Sequence, residues 1–392
     1  MANAFFGVSL VCLLLFLHPY LTYVVSLRAL RTVPLSLGVA SHEASAARSG
    51  AADATLAPVS ATLVFAAYNE ALALPHKIAN LRAIQQAWPD IEMIAYSDGS
   101  SDQTVALLKQ AGDVVRVIDS RERAGKASGM RHMVSEARGE IVIFTDANVI
   151  LDPASIAPLL HLFSDPGVGG VAGSLRYINN DAGATARAGG FYWRLEETIK
   201  RQESRVGSIM GADGSIFAIR RALYPEVRAD LLDDMTASLA VTFAGFRLIH
   251  SSQVVGYEKN ATVASDEFRR KRRIACRAFN THRVLWPRLS ASYGALDIYK
   301  YVSHKLVRWL GLVPLALGVT LLAGALALGG HFLGLALLLG GLSLFAVAGS
   351  AGLPGFATGW QILMAITATF LGVTDAMRGR TMQVWTPAAS RN

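Results

Sequence analysis

This sequence is short of cysteine and short of charge. Its two cysteines, Cys12 and Cys276, stand far apart, one in an apolar run and the other among arginines. That leaves no disulfide framework and no cysteine-based metal site. Charged residues make up only 17% of the chain against 52% hydrophobic, too apolar a balance for an ordinary soluble enzyme. The shortage is concentrated at the two ends. Between Ala4 and Leu27 there is no Asp, Glu, Lys or Arg, a stretch long enough to cross a bilayer as a helix. Residues 1 to 6 lack the positive charge that a secretory signal carries before its apolar core, so an anchor is expected over a cleaved leader. Arg28 and Arg31 follow the run and place residue 32 onward on the cytoplasmic side by the positive-inside rule.

Acids are scarcer than bases, with 29 Asp and Glu against 37 Lys and Arg, a net charge of +8. That sign suits acidic partners: phospholipid head groups, nucleotide phosphates or nucleic acid. Basic residues flanking membrane helices account for part of the excess. Residues 32–58 are rich in Ala, Ser and Gly without apolar periodicity and read as a linker behind an anchor over 1–31.

From Ala61 the pattern changes. TLVFAAY, IEMIAYS and EIVIFTD look like buried strands ending in polar residues, and HKIANLRAIQQAW and TVALLKQAG like amphipathic helices between them. Strands alternating with helices predict an α/β domain over 59–290, a mostly parallel sheet with helices on both faces. Ligands of such sheets bind at the carboxyl ends of the strands, where Asn69, Glu70, Asp98 and Asp146 fall. Further on, 291–310 mixes aromatic and basic residues with apolar ones, as an interfacial helix does. Apolar runs over 311–330, 333–348 and 356–373 predict a C-terminal membrane region, 311–375, ahead of a tail, 376–392. Three full spans would put Arg378, Arg380 and Arg391 outside, so 356–373 is expected to be re-entrant or interfacial, with the C-terminus inside.

Four clusters carry chemistry. SDGSSDQT follows a strand and presents Asp98, either as a turn and helix cap or as an acceptor for a base or ribose. FTDAN ends another strand, and Asp146 with Asn148 offers two oxygens on one side of an extended chain, suited to a hard divalent cation. Asp233 and Asp234 open a helix, where acids are favoured by the dipole but where a carboxylate can also act as general base. In FRRKRRIACRAF, Arg269, Arg273 and Arg277 are like charges at four-residue spacing, a cost that a bound anion would relieve.

In this order the motifs resemble the family 2 glycosyltransferases of GT-A fold, over about 60 to 290 together with the membrane layout. The resemblance implies donor contacts from Tyr68, Asn69, Glu70, Asp98, Arg123, Lys126, Asp146, Arg272 and Arg273. It implies a divalent metal, Mg2+ or Mn2+, on Asp146 and Asn148, with Asn148 standing where the family has a second acid. It assigns Asp213 and Gly214 to the acceptor side and Asp234, paired with Asp233, to catalysis as the base. The expected protein is then a multi-pass enzyme of a bacterial inner membrane with a cytoplasmic catalytic domain. It would move a hexose, with inversion, from a nucleotide sugar to a lipid-linked saccharide or growing polysaccharide, and nucleic acid is not among the expected partners. Processive synthases of the family carry Q-x-x-R-W in the basic helix, whereas Ile274 stands at the tryptophan position here. The resemblance therefore favours one sugar per encounter over processive synthesis. A membrane nucleotidyltransferase and a non-enzymatic nucleotide or lipid receptor are the alternatives of other classes.

Overall fold

A computed structural model of the protein describes residues 1–35 and 59–384. Most of the linker expected over 32–58 and the end of the tail lie outside the described residues. The chain opens with α1 (Ala2–Leu17) and α2 (Thr22–Arg28). The α/β region follows as β1 (Ala61–Ala67), α3 (Leu74–Ala87), β2 (Glu92–Asp98), α4 (Thr104–Gln110), β3 (Arg116–Ser120), α5 (Lys126–Glu136) and β4 (Ile141–Asp146). It continues through β5 (Ile150–Leu151), α6 (Ile156–Leu162), β6 (Val168–Tyr177), α7 (Ala184–Arg205), β7 (Ile216–Arg220), α8 (Asp233–Phe243), β8 (Arg247–Glu258) and α9 (Ala264–Ser292). The C-terminal helices are α10 (Ala295–Trp309), which contains a π-helical turn over Val302–Leu306, then α11 (Leu312–Leu328), α12 (Phe332–Ser350) and α13 (Phe356–Met377).

One 8-stranded sheet runs in the order β3-β2-β1-β4-β7-β6-β8-β5. β3, β2, β1 and β4 are parallel, β7 is antiparallel to β4 and β6, and β6 pairs parallel with β8. β1 is buried along its whole length because both faces of the sheet are covered, which is why it reads as a continuous apolar run. Alternate side chains go to opposite faces. Leu63 and Phe65 pack with Leu74, Leu81 and Ile84 of α3, and Val64 and Ala66 with Met130 and Met133 of α5 and Val241 of α8. The chain turns from β1 to β2 on one side and reaches β4 on the other, and the crevice at that reversal is where such sheets bind ligands. The register sets Ala66 beside Asp146 and Ala67 beside Ser97, so the polar strand ends meet at one edge.

The expected N-terminal span is not one helix. α1 and α2 meet at 61°, with Pro19 in the break, where a missing N–H and a fixed φ interrupt the helical ladder. Tyr23 and Leu27 of α2 are buried against Ile199 of α7 instead of facing lipid. α1 lies along α11, where Ser9 Oγ donates to the Gly318 carbonyl at 2.7 Å. Of the described helices, α12 and α13 are by themselves long and apolar enough to cross a membrane; counting each bent pair as one span gives up to 4. α12 leaves Leu333, Leu337 and Val347 exposed, whereas Val373 and Ala376 of α13 are buried with Met235 of α8 and Phe279 of α9.

Candidate active site

The strand-end edge opens into a cavity of about 790 Å³ that reaches from β4 to α13. At its inner end, Lys126 at the start of α5 holds Asp146 Oδ1 at 2.6 Å. Burial works against the ammonium, but the carboxylates of Asp146, Asp233 and Asp234 outweigh it and raise its pKa above the ordinary lysine value. Two polar residues of α3 brace the turn after Asp146. Lys77 Nζ donates to the Val149 carbonyl at 2.7 Å, and the Asn80 amide bonds both N–H and C=O of Leu151. Lys77 is wholly buried, which lowers its pKa to about 7. Asn148 donates Nδ2 to Glu258 Oε1 at 2.9 Å. A carboxylate accepts only, so this bond fixes the amide with its oxygen free to act as a ligand.

Across the cavity stands the acid pair. Asp234 is pushed up to about 7 by burial first and by the Asp233 carboxylate second, against the pull of Lys126. Gly214 fits between Asp234 and Lys126: a Cβ there would lie 3.0 Å from Lys126 Nζ and 3.1 Å from Asp234 Oδ2. The start of α8 is clasped by α9. Thr281 Oγ1 accepts from Leu232 N at 2.8 Å, and the buried Arg277 donates to the Leu231 carbonyl. Asp213, on the same loop as Gly214, pairs with Lys200 at 2.6 Å.

The basic helix resolves its like charges mostly without an anion. Arg269 pairs with Asp266, Arg270 and Lys271 with Glu267, and Arg272 with Asp375 of α13. Arg273 lines the cavity with no hydrogen bond or ion pair among the described residues. Burial, then Arg277 and Arg270, lower its pKa to about 10.

The cavity thus gathers Glu70, Lys126, Asp146, Asn148, Asp213, Gly214, Asp233, Asp234 and Arg273. Other expected donor contacts do not reach its wall. Arg272 faces away, because its guanidinium is held by both oxygens of Asp375 at 2.6 and 3.0 Å. Asp98 is fully buried and accepts from the backbone N–H of Ala124 and Gly125 at 2.7 and 3.1 Å, so it positions the turn that delivers Lys126. Arg123 stacks on Tyr68, its guanidinium 3.5 Å from the ring centroid. Asn69, at φ 51°, accepts from Ser101 N at 2.8 Å and ties down the loop after β2.

Sequence reasoning missed the membrane-side wall altogether. His304 of α10 faces Glu203 Oε1 at 2.8 Å with one ring nitrogen and Glu196 Oε1 at 2.9 Å with the other. Arg308 pairs with Glu196 Oε2 at 2.7 Å, and Tyr23 donates to Glu203 Oε1 at 2.6 Å. Tyr192, Trp193 and Trp309 also line the cavity, as do Gln361, Ile362, Ala365, Ile366 and Thr369 of α13. Aromatic rings are therefore present although Ile274 is not one. The segment after α13 returns over the site: Arg380 O accepts from Asn280 Nδ2 at 2.7 Å, and a Cβ on Gly125 would lie 3.1 Å from Gln383 O. The helical pattern of α7 carried the one signal for this wall, since Glu196, Lys200 and Glu203 recur on one face of it.

Comparison with known proteins fits this geometry. Residues 62–228 match the model of Glycosyl transferase family 2. The chain thus carries a family 2 glycosyltransferase domain over these residues. The family domain takes in the sheet edge, Asp146 and the Gly214 loop, while the acid pair and α9 follow it in sequence. The poly-beta-1,6-N-acetyl-D-glucosamine synthase of Staphylococcus aureus (strain COL) is 26% identical over 186 residues, 46% of this chain and 44% of that protein. The synthase of the same name from Staphylococcus epidermidis is 24% identical over the same share. This chain thus matches less than half the length of these relatives. A mannosyltransferase from Pyrobaculum calidifontis, solved in complex with GDP-Man and Mn2+, superposes over 96% of this chain and 99% of its own with a TM-score of 0.66 and 18% identity. That likeness shows the fold, a GT-A sheet with appended helices.

Proposed function

We propose that this family 2 domain transfers a hexose from a nucleoside-diphosphate sugar to a hydroxyl of a lipid-linked saccharide or growing polysaccharide, with inversion, at the cytoplasmic face of a bacterial inner membrane. One observation carries the reading: Asp234, a carboxyl poised near neutral pH, and Lys126, bound to Asp146, approach the same glycine, with Arg273 left without a partner beside them. In the reaction the acceptor hydroxyl attacks the anomeric carbon, its proton passes to Asp234, and the bond to the diphosphate oxygen breaks. Lys126 and Arg273 neutralise the departing nucleoside diphosphate, whose charge grows in the transition state.

Among the described residues no three His, Cys, Asp or Glu side chains form a metal cage. The oxygens of Asp146 and Asn148 nevertheless suit a Mg2+ or Mn2+ ion that arrives on the diphosphate, since such ions take one or two protein ligands and fill the rest from phosphate and water. Bound there, the cation would neutralise leaving-group charge. The aromatic wall favours a second reading, processive synthesis, which would extend one acceptor many times.

Membrane vesicles of both orientations, incubated with labelled nucleotide sugars, test the proposal. Inverted vesicles are expected to release the nucleoside diphosphate and label a membrane saccharide, with loss on chelation and recovery with Mg2+ or Mn2+. Release of pyrophosphate instead would identify a nucleotidyltransferase. Labelling only from right-side-out vesicles would overturn the orientation.

A further inference from the structure

The proposed reaction accounts for one cation without a partner, Arg273, but the cavity holds a second. Lys305, in the π-helical turn of α10, lines the cavity and has no hydrogen bond or ion pair among the described residues. Single-turn π segments are frequent at functional sites. Its carboxylate neighbours already have hydrogen-bond partners. Glu196 holds Arg308 and one nitrogen of His304, and Glu203 holds the other. Lys305 makes no ion pair with that network, and burial lowers its pKa below the ordinary lysine value although Glu196 and Glu203 act against the shift. Three residues along, Arg308 is 8% exposed and leaves its buried Nη2 without an acceptor.

Position tells what Lys305 can hold. Lys305 Nζ lies 4.0 Å from where a Cβ on Gly211 would sit, and Gly214 of the same loop touches Asp234. Three residues of chain span at most on the order of 10 Å, the reach of one or two sugar rings. On the other side the cavity wall is Ile362, Ala365 and Ile366 of α13, a helix long and apolar enough to cross a membrane. An anion at Lys305 would thus have a sugar's length between it and the base, and an apolar surface leading away from it.

We infer that Lys305 and Arg308 bind the phosphate of a lipid acceptor, with the lipid chain against α13 and the accepting sugar directed to Asp234. This deepens the glycosyl-transfer reading and rests on it for the role of the sugar. It favours a lipid-phosphate acceptor over a neutral polysaccharide.

The test is direct binding to the purified full chain in neutral detergent, with geranyl phosphate, geraniol and inorganic phosphate as probes. Geranyl phosphate is expected to bind, geraniol at least tenfold more weakly, and inorganic phosphate to compete poorly. Lys305→Met should weaken geranyl phosphate roughly 10- to 100-fold, the size of one hydrogen bond to a charged group. It should leave nucleotide-sugar affinity and melting temperature in place, and Lys305→Arg should retain binding. Equal binding of geraniol, unchanged binding by Lys305→Met, or equal competition by inorganic phosphate would each overturn the site. The assay involves no transfer. Lys305-dependent binding in a protein that transfers no sugar would sink the transferase reading and leave the lipid-phosphate site standing.

Discussion

The two ends of the cavity are built from different material. The inner end is made of strand termini and the turns that follow them, and its groups fall in short runs: TDAN, RAGKA, GADG and the acid pair. The membrane-side end is made of helix faces, where Glu196 and Glu203 meet His304 and Arg308 about a hundred residues away. A parallel sheet brings consecutive strand ends to one edge by its register, so local motifs suffice to write a site there. Helix faces meet only through tertiary packing. The contrast also separates character: the inner end gathers the carboxyls, lysine and arginine of the proposed transfer, and the outer end holds an ion network between α10 and α7.

Substitutions at four residues probe this contrast. Asp234→Asn carries the largest expected effect, a loss of transfer of ~100- to 10,000-fold with donor affinity within a few-fold. In the wild type, kcat/KM should fall as pH drops through about 7, because protonation removes the base. The same group sets a stability signature. Its pKa is raised on folding, so the folded state loses stability as pH rises from the ordinary carboxylate range to about 7, and Asp234→Asn should melt higher than wild type above that pH. Retention of activity within three-fold would remove Asp234 from the role of base.

At the outer end the expected loss is in stability. Glu196 is 6% exposed, and although burial opposes its charge, His304 and Arg308 hold its carboxyl well below the usual range. Glu196→Ala leaves both cations without it and should cost ~3–5 kcal/mol. For a group depressed in this way the stability is present above the unfolded pKa and lost as pH falls through the folded one. Wild-type protein should therefore weaken in acid, and Glu196→Gln should flatten that slope. Thermal unfolding across pH measures both, and an unchanged slope would assign the network no part in fastening α10.

The smallest contrast lies within one helix. Arg273→Ala should raise the donor KM and lower kcat together, roughly 10-fold or more, as loss of a charged hydrogen bond to the leaving group does. Lys should rescue it poorly for want of the guanidinium fork. Arg272→Ala should instead lower the melting temperature through the lost Asp375 pair and leave donor KM unchanged. Steady-state kinetics on the neighbouring variants distinguish them, and equal effects on donor KM would put both arginines at the diphosphate.

Much of the inner site was legible, and its limits are instructive. Asp146, Lys126 and Asp234 could be placed from motif order, because each sits at a strand end or helix start. The polarity of SDGSSDQT showed a turn, but not that Asp98 turns inward to backbone N–H groups. Spacing in α9 showed crowded arginines but not which one keeps no partner, since the partner of Arg272 is Asp375, from α13.

The sequence by itself determined the alternation of strand and helix, the strand-end carboxylates, the apolar ends and the family 2 domain, because these depend on period, local turns and contiguous motifs. Tertiary structure decided the bend at Pro19, the return of the C-terminal segment over Gly125 and the isolation of Arg273 and Lys305. Which charge is neutralised depends on what the fold brings within a few ångströms, and those partners lie on helices that no local pattern connects.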